Sequence, residues 1–323
     1  MRLHDLTLGE LRDLADAAVL IAAAADAGLF GALADGPRGA EELAEELGHD
    51  TRATRIVLEA LVEIGLLERD GGRYRPSARC RRELCDPESE TYAGRGLPHW
   101  LRSVRAATHL GEVLRRGGPV EERPAERSTE RLANFVSAMA AAPAERVERI
   151  VELCLERRPR AETVLDLGGG PGHMTRAFVS RGLRGTLLDT PDVVAHVVDA
   201  FGLGDVQGLE VVAGDFTEAL PPGPFDVVLA SNVIHIYGPE VNRRLFRDVA
   251  EVVAPGGVVA VADFFRGRSG RAAHMGLMML LRSEQGDAYA EEAVAGWLEE
   301  AGFGKIRVDE VDEDRHLMTG VKT

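Results

Sequence analysis

The sequence predicts an α/β protein in which a helical domain with a winged helix-turn-helix precedes a doubly wound, mainly parallel sheet. Two patterns predict this fold. Before residue 77, three helical segments are followed by a short hairpin, and after Pro159 short apolar runs alternate with helical segments. The length of 323 residues also exceeds the roughly 100 to 200 residues of a typical domain, so two domains are expected.

The first helices are indicated by apolar spacing and by their capping residues. Apolar residues recur at helical spacing from Leu8 to Leu33, with little charge in the middle, which predicts one helix buried on most of its surface. Ala40 to Leu47 is a short amphipathic helix that ends at Gly48, and a longer helix begins after Asp50 or Thr51. These segments form the front of the predicted winged helix.

A hairpin, the wing of the predicted winged helix, and a helical connecting region follow these helices in the sequence. Leu66 to Arg69 and Arg73 to Pro76 flank an Asp-Gly-Gly turn and predict a hairpin. Residues 88–156 are predicted to be helical, with one polar loop from Gly117 to Thr129. The later apolar runs predict the strands of the sheet: Thr163 to Leu167, Gly185 to Asp189, Leu209 to Ala213, Phe225 to Ala230, Gly257 to Asp263, Ile306 to Val311 and His316 to Val321.

Composition restricts the classes of partner. Lys plus Arg is 38 and Asp plus Glu is 53, a net charge of −15 that disfavours nucleic acid. Three cysteines without metal-site spacing indicate a reducing compartment and no metal. The longest apolar stretch, Ala17 to Ala25, is too short to span a bilayer, and no signal-peptide pattern precedes it. We therefore expect a cytoplasmic protein without a membrane partner.

A glycine-rich loop carries the strongest functional signal. Asp166 and Leu167 end a predicted buried strand, and Gly168, Gly170 and Gly172 follow before a helix begins. Glycines allow the backbone to turn tightly and to approach a ligand at the positive end of the helix dipole. The third glycine of the dinucleotide fingerprint is replaced by His173, so a pyrophosphate is not the preferred ligand.

Two further strand ends supply acidic residues. Asp189 lies 21 residues after Gly168, where a carboxylate can accept hydrogen bonds from both ribose hydroxyls. Asp215 and Phe216 end the third strand and suit the amino group and the flank of an adenine ring. Taken alone, Asp189 or Asp215 could simply belong to an ordinary turn at a strand end. Together with the glycine-rich loop and at this spacing, they predict a nucleoside site.

These motifs resemble the S-adenosylmethionine-dependent small-molecule O-methyltransferases with an N-terminal winged-helix dimerisation domain, the caffeate-type plant enzymes and their bacterial natural-product relatives. The resemblance covers nearly the whole chain. It implies a Rossmann-like class I methyltransferase fold, with dimerisation through residues 1–95, linker helices at 96–158 that contribute to the acceptor pocket, and a cofactor-binding domain at 159–323. It also implies that Gly168 and Gly170 line the methionine part of the cofactor, with Asp166, Asp189, Thr190, Asp215, Phe216 and Ser231 as further cofactor residues.

The resemblance places a catalytic histidine after the fourth strand, at His235. An imidazole is suited to remove a hydroxyl proton near neutral pH. The chain has Ile236 where many relatives have aspartate, and Ala288 at the position of the family's glutamate. Four interpretations remain open: His235 acts alone, Asp287 or Glu284 replaces the missing carboxylate, positioning alone suffices, or His235 merely packs beneath the sheet edge.

The acceptor pocket is expected to be apolar and partly aromatic, because such side chains suit a flat acceptor. For Met278 and Met279, a plain core role is an equally good interpretation. The candidates are Trp100, His109, Phe135, Met139, Met275, Met278 and Met279.

Together these observations predict a homodimeric methyltransferase that modifies an oxygen of a small aromatic or polyketide-like metabolite. Two alternatives stay within the fold: methylation of carbon or nitrogen, and use of the cofactor for decarboxylation, hydroxylation or a pericyclic step. A winged-helix transcription regulator is a third alternative, disfavoured by Glu59 and Glu63 on the candidate recognition helix.

Overall fold

The computed structural model describes residues 5–87, 89, 91–120, 129–140 and 142–323. Most of the predicted polar loop from Gly117 to Thr129 lies outside these residues. The chain divides into two compact units, Met1–Arg105 and Ala106–Thr323. The predicted division at residues 95 and 158 stays a prediction.

The first unit begins with helices α1 (Leu8–Asp26) and α2 (Leu29–Leu33). The predicted single helix from Leu8 to Leu33 is wrong, because Gly28 adopts a left-handed φ of 77° that interrupts the helix. The expectation of a mostly buried helix is also wrong for the single chain. In α1 only Ala22 and Ala24 are buried, whereas the exposed fraction of Leu8 is 85%.

The winged helix forms as predicted. Helix α3 (Ala40–Leu47) ends at Gly48, and Asp50 caps α4 (Thr51–Glu63) by accepting a 2.8 Å hydrogen bond from the Ala53 N–H. Strands β2 (Leu67–Asp70) and β3 (Arg73–Pro76) form the hairpin, and β1 (Arg38–Gly39) pairs with β3. The unit continues through α5 (Ala78–Cys80), a π-helical turn (Arg81–Cys85) and the start of α6 (Leu97–Ala107).

The second unit alternates helices and strands. Its elements are α7 (Leu110–Arg116), α8 (Thr129–Ala140), α9 (Ala144–Arg157), β4 (Thr163–Leu167), α10 (His173–Val179), β5 (Arg184–Asp189), α11 (Pro191–Ala200), β6 (Leu209–Ala213), β7 (Phe225–Ser231), α12 (Pro239–Val252), β8 (Val253–Asp263), α13 (Ala272–Arg282), α14 (Glu291–Glu300), β9 (Phe303–Glu310) and β10 (His316–Lys322). All seven predicted strands are confirmed, although β8 begins four residues earlier than Gly257.

The sheet has the strand order β6-β5-β4-β7-β8-β10-β9, in which β10 runs antiparallel to both β8 and β9 and the other neighbouring strands are parallel. Apolar clusters cover both faces, one under α12 and α14 and the other under α9 and α10. The carboxyl ends of β4 to β8 therefore meet at one edge, where ligands bind in this architecture. His316 pairs with Asp263, so the turn between β9 and β10 lies at the same edge.

Within the part of the chain that the structure describes, no helix is long and apolar enough to cross a membrane.

Candidate active site

The glycine-rich loop lies between β4 and α10. Gly168 and Gly170 have left-handed φ values of 66° and 49°. A Cβ atom at Gly168 would lie 3.2 Å from Val233 Cγ2, and a Cβ atom at Gly170 would lie 2.9 Å from Met139 Cε. The left-handed backbone favours glycine at both positions, a side chain at either would also have to displace its neighbour, and Met139 from α8 packs directly against the loop.

Asp189 ends β5 beside this loop. Its exposed fraction is 8%. Asp189 Oδ2 accepts a 2.9 Å hydrogen bond from the Gly170 N–H, and Oδ1 accepts a 2.8 Å bond from the Thr190 N–H. Burial raises the pKa of Asp189, and these two N–H donors oppose the rise. Each carboxylate oxygen keeps further acceptor capacity, so the group is oriented and can receive hydroxyl donors.

Asp166 lies beneath the loop. It is fully buried, and Thr175 Oγ1 donates a 2.6 Å hydrogen bond to its Oδ2. Burial raises the pKa of Asp166 to about 7. This contact ties β4 to α10 and so stabilises the loop between them.

The end of β6 contributes one exposed and one buried side chain. Asp215 is exposed, and its Oδ1 accepts hydrogen bonds from the Thr217 N–H (2.8 Å) and Oγ1 (2.7 Å). Phe216 is buried, lies against the Gly168 position and contacts Tyr237 edge to face at 5.7 Å between ring centroids. Phe216 thus forms a wall beside the glycine loop.

His235 lies in a 3-10 turn (Ile234–Ile236) just after β7. Asn242 Nδ2 from α12 donates to the carbonyl oxygens of Ile234 (2.9 Å) and Tyr237 (3.2 Å). The Tyr289 hydroxyl donates to the same Tyr237 carbonyl at 2.5 Å. These bonds hold the backbone of the turn from two sides, so the position of His235 is well defined.

His235 has a carboxylate partner that sequence reasoning missed. His235 Nδ1 lies 2.7 Å from Asp263 Oδ1 at the end of β8, and both side chains are buried. The Phe264 N–H donates to the same oxygen at 2.7 Å. Because a carboxylate only accepts, Nδ1 carries the proton and the neutral ring has its lone pair on Nε2.

The interpretations in which His235 has no carboxylate partner, or in which Asp287 or Glu284 replaces the carboxylate missing at Ile236 and Ala288, are therefore wrong. Asp287 binds Arg266, with both carboxylate oxygens 2.7 Å from Nη2, and Glu284 is exposed. The position of Asp263 at a strand end was visible in the sequence, and the adjacency of β7 and β8 brings it to His235.

Ser231 lies at the end of β7, and its hydroxyl oxygen accepts a hydrogen bond from the side chain of Asn232. Asn232, with a left-handed φ of 57°, donates from Nδ2 to Ser231 Oγ at 3.3 Å. Asn232 Oδ1 accepts a 3.0 Å hydrogen bond from Arg315 Nε. A chain of side-chain hydrogen bonds therefore connects the end of β7 to the β9–β10 turn.

The acceptor candidates are spread over the chain. Met139 contacts the glycine loop, and Met275 packs against the buried cluster of Phe264, Ala272 and Ala288. Phe264 of this cluster contacts His235 edge to face. The other candidates lie as follows: Trp100 lies on α6 in the first unit, His109 is exposed before α7, Phe135 is 39% exposed on α8, Met278 is partly buried on α13, and Met279 is buried on α13. Over the described ranges, no group of three or more His, Cys, Asp or Glu side chains could hold a metal ion.

Comparison with known proteins identifies related chains. Residues 136–308 match the methyltransferase domain family, and residues 14–85 match the O-methyltransferase dimerisation domain. The chain is 28% identical to 3-hydroxy-5-methyl-1-naphthoate 3-O-methyltransferase of Streptomyces sahachiroi, covering 89% of this chain and 86% of that one. It is 30% identical to the tetracenomycin polyketide synthesis 8-O-methyl transferase TcmO of Streptomyces glaucescens, covering 91% and 90%.

The fold is also that of a solved protein. The structure of PigF with SAH superposes with a TM-score of 0.84 over 98% of this chain and 100% of that chain, at 21% identity. This likeness confirms the predicted fold class. The chain belongs to the methyltransferase family, and it carries an O-methyltransferase dimerisation domain in front of the methyltransferase domain.

Proposed function

We propose that the protein transfers the methyl group of S-adenosylmethionine to a hydroxyl oxygen of a small aromatic or polyketide-like metabolite. The observation that carries this proposal is the buried His235–Asp263 pair, 2.7 Å apart, at the sheet edge that also holds the glycine-rich loop. The two Streptomyces relatives, both named as O-methyltransferases of aromatic or polyketide compounds, support the acceptor class.

The residues of the loop fit this cofactor. The left-handed glycines leave the backbone open where a Cβ atom would collide, and the buried Asp189 carboxylate has acceptor capacity for two hydroxyls of a ribose. Gly168 and Gly170 would hold the methionine part. Asp215 and Phe216 would hold the adenine.

The remaining predicted cofactor residues act at the margins of this site. Ser231 would lie near the sulfonium end, Thr190 would fix the orientation of the ribose-binding aspartate through its N–H, and Asp166 would support the loop from below. When bound, the cofactor supplies an electrophilic methyl group on a sulfonium centre.

The chain's own contribution to the chemistry is proton removal. His235 Nε2 would accept the proton of the acceptor hydroxyl, which makes that oxygen nucleophilic toward the methyl group that the bound cofactor would supply, with S-adenosylhomocysteine as the leaving group. Asp263 keeps Nδ1 protonated and stabilises the imidazolium that forms. General-base assistance of this kind contributes on the order of 10² to 10⁴ in rate. Asp263 is thus a positioning residue, and His235 is the catalytic residue.

The acceptor would lie against the apolar side chains near His235. Met139 and Met275 are the candidates that the geometry supports most directly, because Met139 packs beside the glycine loop and Met275 packs against the cluster that contains Phe264. Trp100, His109, Phe135, Met278 and Met279 stay predictions for the same pocket.

The protein would act as a homodimer through its first unit, where residues 14–85 match a dimerisation domain. Helix α1 supports this assembly, because Leu8, Leu14 and Val19 are 85%, 43% and 37% exposed in the single chain. Burying such an apolar face stabilises association by about 25 cal/mol for each Å² removed from water.

The test measures transfer of labelled methyl to 3-hydroxy-1-naphthoate and to a panel of phenols by the wild-type protein and by His235→Ala. We expect labelled ether products from the wild type and a loss of roughly 10² to 10⁴ in kcat for the variant. Product formation without label transfer would contradict methyl transfer. Full turnover of His235→Ala would contradict the role of the histidine.

A further inference from the structure

Two cysteines of the first unit lie side by side at its π-helical turn. Cys80 ends α5, and Cys85 ends the turn that follows. In this turn the backbone hydrogen bonds join residues five apart, such as the 2.9 Å bond from the Asp86 N–H to the Arg81 carbonyl oxygen. Side chains five residues apart then lie on nearly the same side, whereas in an α-helix they point about 140° apart. The Sγ atoms of Cys80 and Cys85 are 4.0 Å apart, and both thiols are free.

The backbone around this pair is held by hydrogen bonds. Ser77 Oγ accepts a 3.2 Å bond from the Cys80 N–H, and the Glu83 carbonyl oxygen accepts a 2.8 Å bond from the Ala93 N–H. A disulfide needs about 2.05 Å between its sulfur atoms, so the two atoms must approach by about 2 Å, which a change of side-chain rotamer can supply. The pair is therefore placed for a bond without refolding of the turn.

The two thiols have different surroundings. Cys80 is buried in the apolar core of the first unit, whereas Cys85 is partly exposed. The hydrogen bond from Cys80 lowers the pKa of Cys85, burial opposes this change, and the Arg81 cation lowers the pKa further. The same contact, together with burial, raises the pKa of Cys80. Cys85 is therefore the accessible thiol that ionises, and Cys80 is the protonated thiol behind it.

We propose that Cys80 and Cys85 form a redox-active dithiol, which hydrogen peroxide oxidises to an intrachain disulfide. The Cys85 thiolate attacks one peroxide oxygen, so that an S–O bond forms, the O–O bond breaks, and the leaving hydroxide takes a proton to become water. Cys80 Sγ then attacks Cys85 Sγ. The S–S bond forms, the S–O bond breaks, and the leaving hydroxide takes the thiol proton of Cys80. Two thiols thus lose two electrons and two protons, and one peroxide becomes two water molecules.

The test exposes the full-length, reduced protein to a small excess of hydrogen peroxide, blocks the remaining thiols with iodoacetamide in denaturant, and measures the intact mass. We expect the loss of two hydrogens and alkylation of Cys154 alone, because Cys154 is buried in the second unit and burial raises its pKa. Trypsin cleaves after Arg81 and Arg82, between the two cysteines. The disulfide therefore appears as two joined peptides, which dithiothreitol separates.

Three variants assign the two roles. Cys85→Ser changes a partly exposed side chain, and it should leave Cys80 and Cys154 reduced under the same treatment. Cys80→Ala removes the second thiol, so a sulfenic acid should persist on Cys85, where dimedone traps it. Cys154→Ala is the matched control and should form the disulfide like the wild type. Circular dichroism checks that each variant is folded before the treatment.

A second probe tests the proximity of the thiols without oxidation. Phenylarsine oxide condenses with two neighbouring thiols and releases one water, so the reduced wild type and Cys154→Ala should bind one equivalent and Cys85→Ser none. The proposal is overturned if phenylarsine oxide does not bind the wild type, or if Cys85→Ser binds it equally. It is also overturned if peroxide leaves all three thiols reduced, links two chains, or oxidises Cys85 to a sulfinic acid without the joined peptides. None of these measurements depends on methyl transfer.

Discussion

Replacement of Asp263 by asparagine isolates the charge of the carboxylate from its geometry. The Phe264 N–H needs an acceptor at the Oδ1 position, so the amide oxygen of an asparagine should occupy it and still accept from His235 Nδ1. The tautomer of the histidine is then preserved. The amide NH₂ replaces Asp263 Oδ2, a buried oxygen without a hydrogen-bond partner among the described residues. What the variant loses is the negative charge beside the imidazolium.

The size of the effect follows from the burial of the pair. The side chains of His235 and Asp263 are only 9% and 1% exposed, so solvent screens their charges weakly. Two unit charges about 4 Å apart at an effective dielectric constant of about 20 interact by about 4 kcal/mol. Since part of this energy is recovered by the polar amide, we expect a loss of about 3 to 4 kcal/mol in transition-state stabilisation. This corresponds to a decrease of roughly 10² to 10³ in kcat.

The assay is labelled methyl transfer to an acceptor that the wild type methylates, together with calorimetric binding of S-adenosylhomocysteine. The KM of the acceptor and the affinity for S-adenosylhomocysteine should stay close to wild type. Asp287→Asn is the matched control, because Asp287 binds the partly exposed Arg266 instead of His235, and its kcat should change less than about threefold. A kcat of Asp263→Asn within threefold of wild type, or an equal loss in Asp287→Asn, would refute the role of Asp263.

Four further changes test other parts of the molecule. Asp189→Ala should weaken S-adenosylhomocysteine binding by roughly 10²-fold in calorimetry, and unchanged affinity would exclude its cofactor role. Gly170→Ala should also weaken binding, because its Cβ would lie 2.9 Å from a methionine methyl of α8, whereas Gly182→Ala, with nothing within 4 Å, should bind normally. Asp166, whose pKa rises from 3.8 to about 7 on folding, retains a proton that the unfolded chain releases. Between about pH 4 and 7, the free energy of unfolding of the cofactor-free wild type should therefore decrease by on the order of a few kcal/mol relative to that of Asp166→Asn. Urea unfolding measures this quantity, and the same difference between the two proteins at pH 5 and at pH 8 would contradict the prediction. Leu14→Glu should shift the protein from dimer to monomer in analytical ultracentrifugation, and an unchanged dimer would remove α1 from the interface.

Most of the fold could be predicted from local patterns. The strands are short apolar runs bounded by turn residues, and each was found within a few residues of its observed bounds. The error at α1 has a physical cause. The apolar spacing continues through Gly28, but the left-handed conformation of Gly28 ends the helix. A pattern of apolar residues contains no information about backbone dihedral angles. The burial of α1 was overestimated, because Leu8, Leu14 and Val19 are exposed in the single chain; the proposed dimer would cover this apolar face.

Individual residues of the candidate site could be predicted from local sequence, but a contact between side chains from two different strands could not. The glycine-rich loop and Asp189 follow directly from strand ends and spacing. The sequence alone does not indicate Asp263 as the partner, because it lies 28 residues from His235 and only the fold brings the two side chains together. Asp263 becomes the partner only because β7 and β8 are adjacent and parallel, with Ser231 opposite Ala262.

The same register explains why no carboxylate of the later loop is needed. Since Ser231 pairs with Ala262, the next residues, Asn232 and Asp263, lie side by side at the ends of the two strands, and the 3-10 turn after Asn232 returns His235 toward Asp263. The loop at residues 283–288 instead supports the turn from behind: a Cβ atom at Gly286 would lie 2.4 Å from the His235 carbonyl oxygen. Ala288 and Ile236 are therefore compatible with an intact base, because the orienting carboxylate comes from the neighbouring strand.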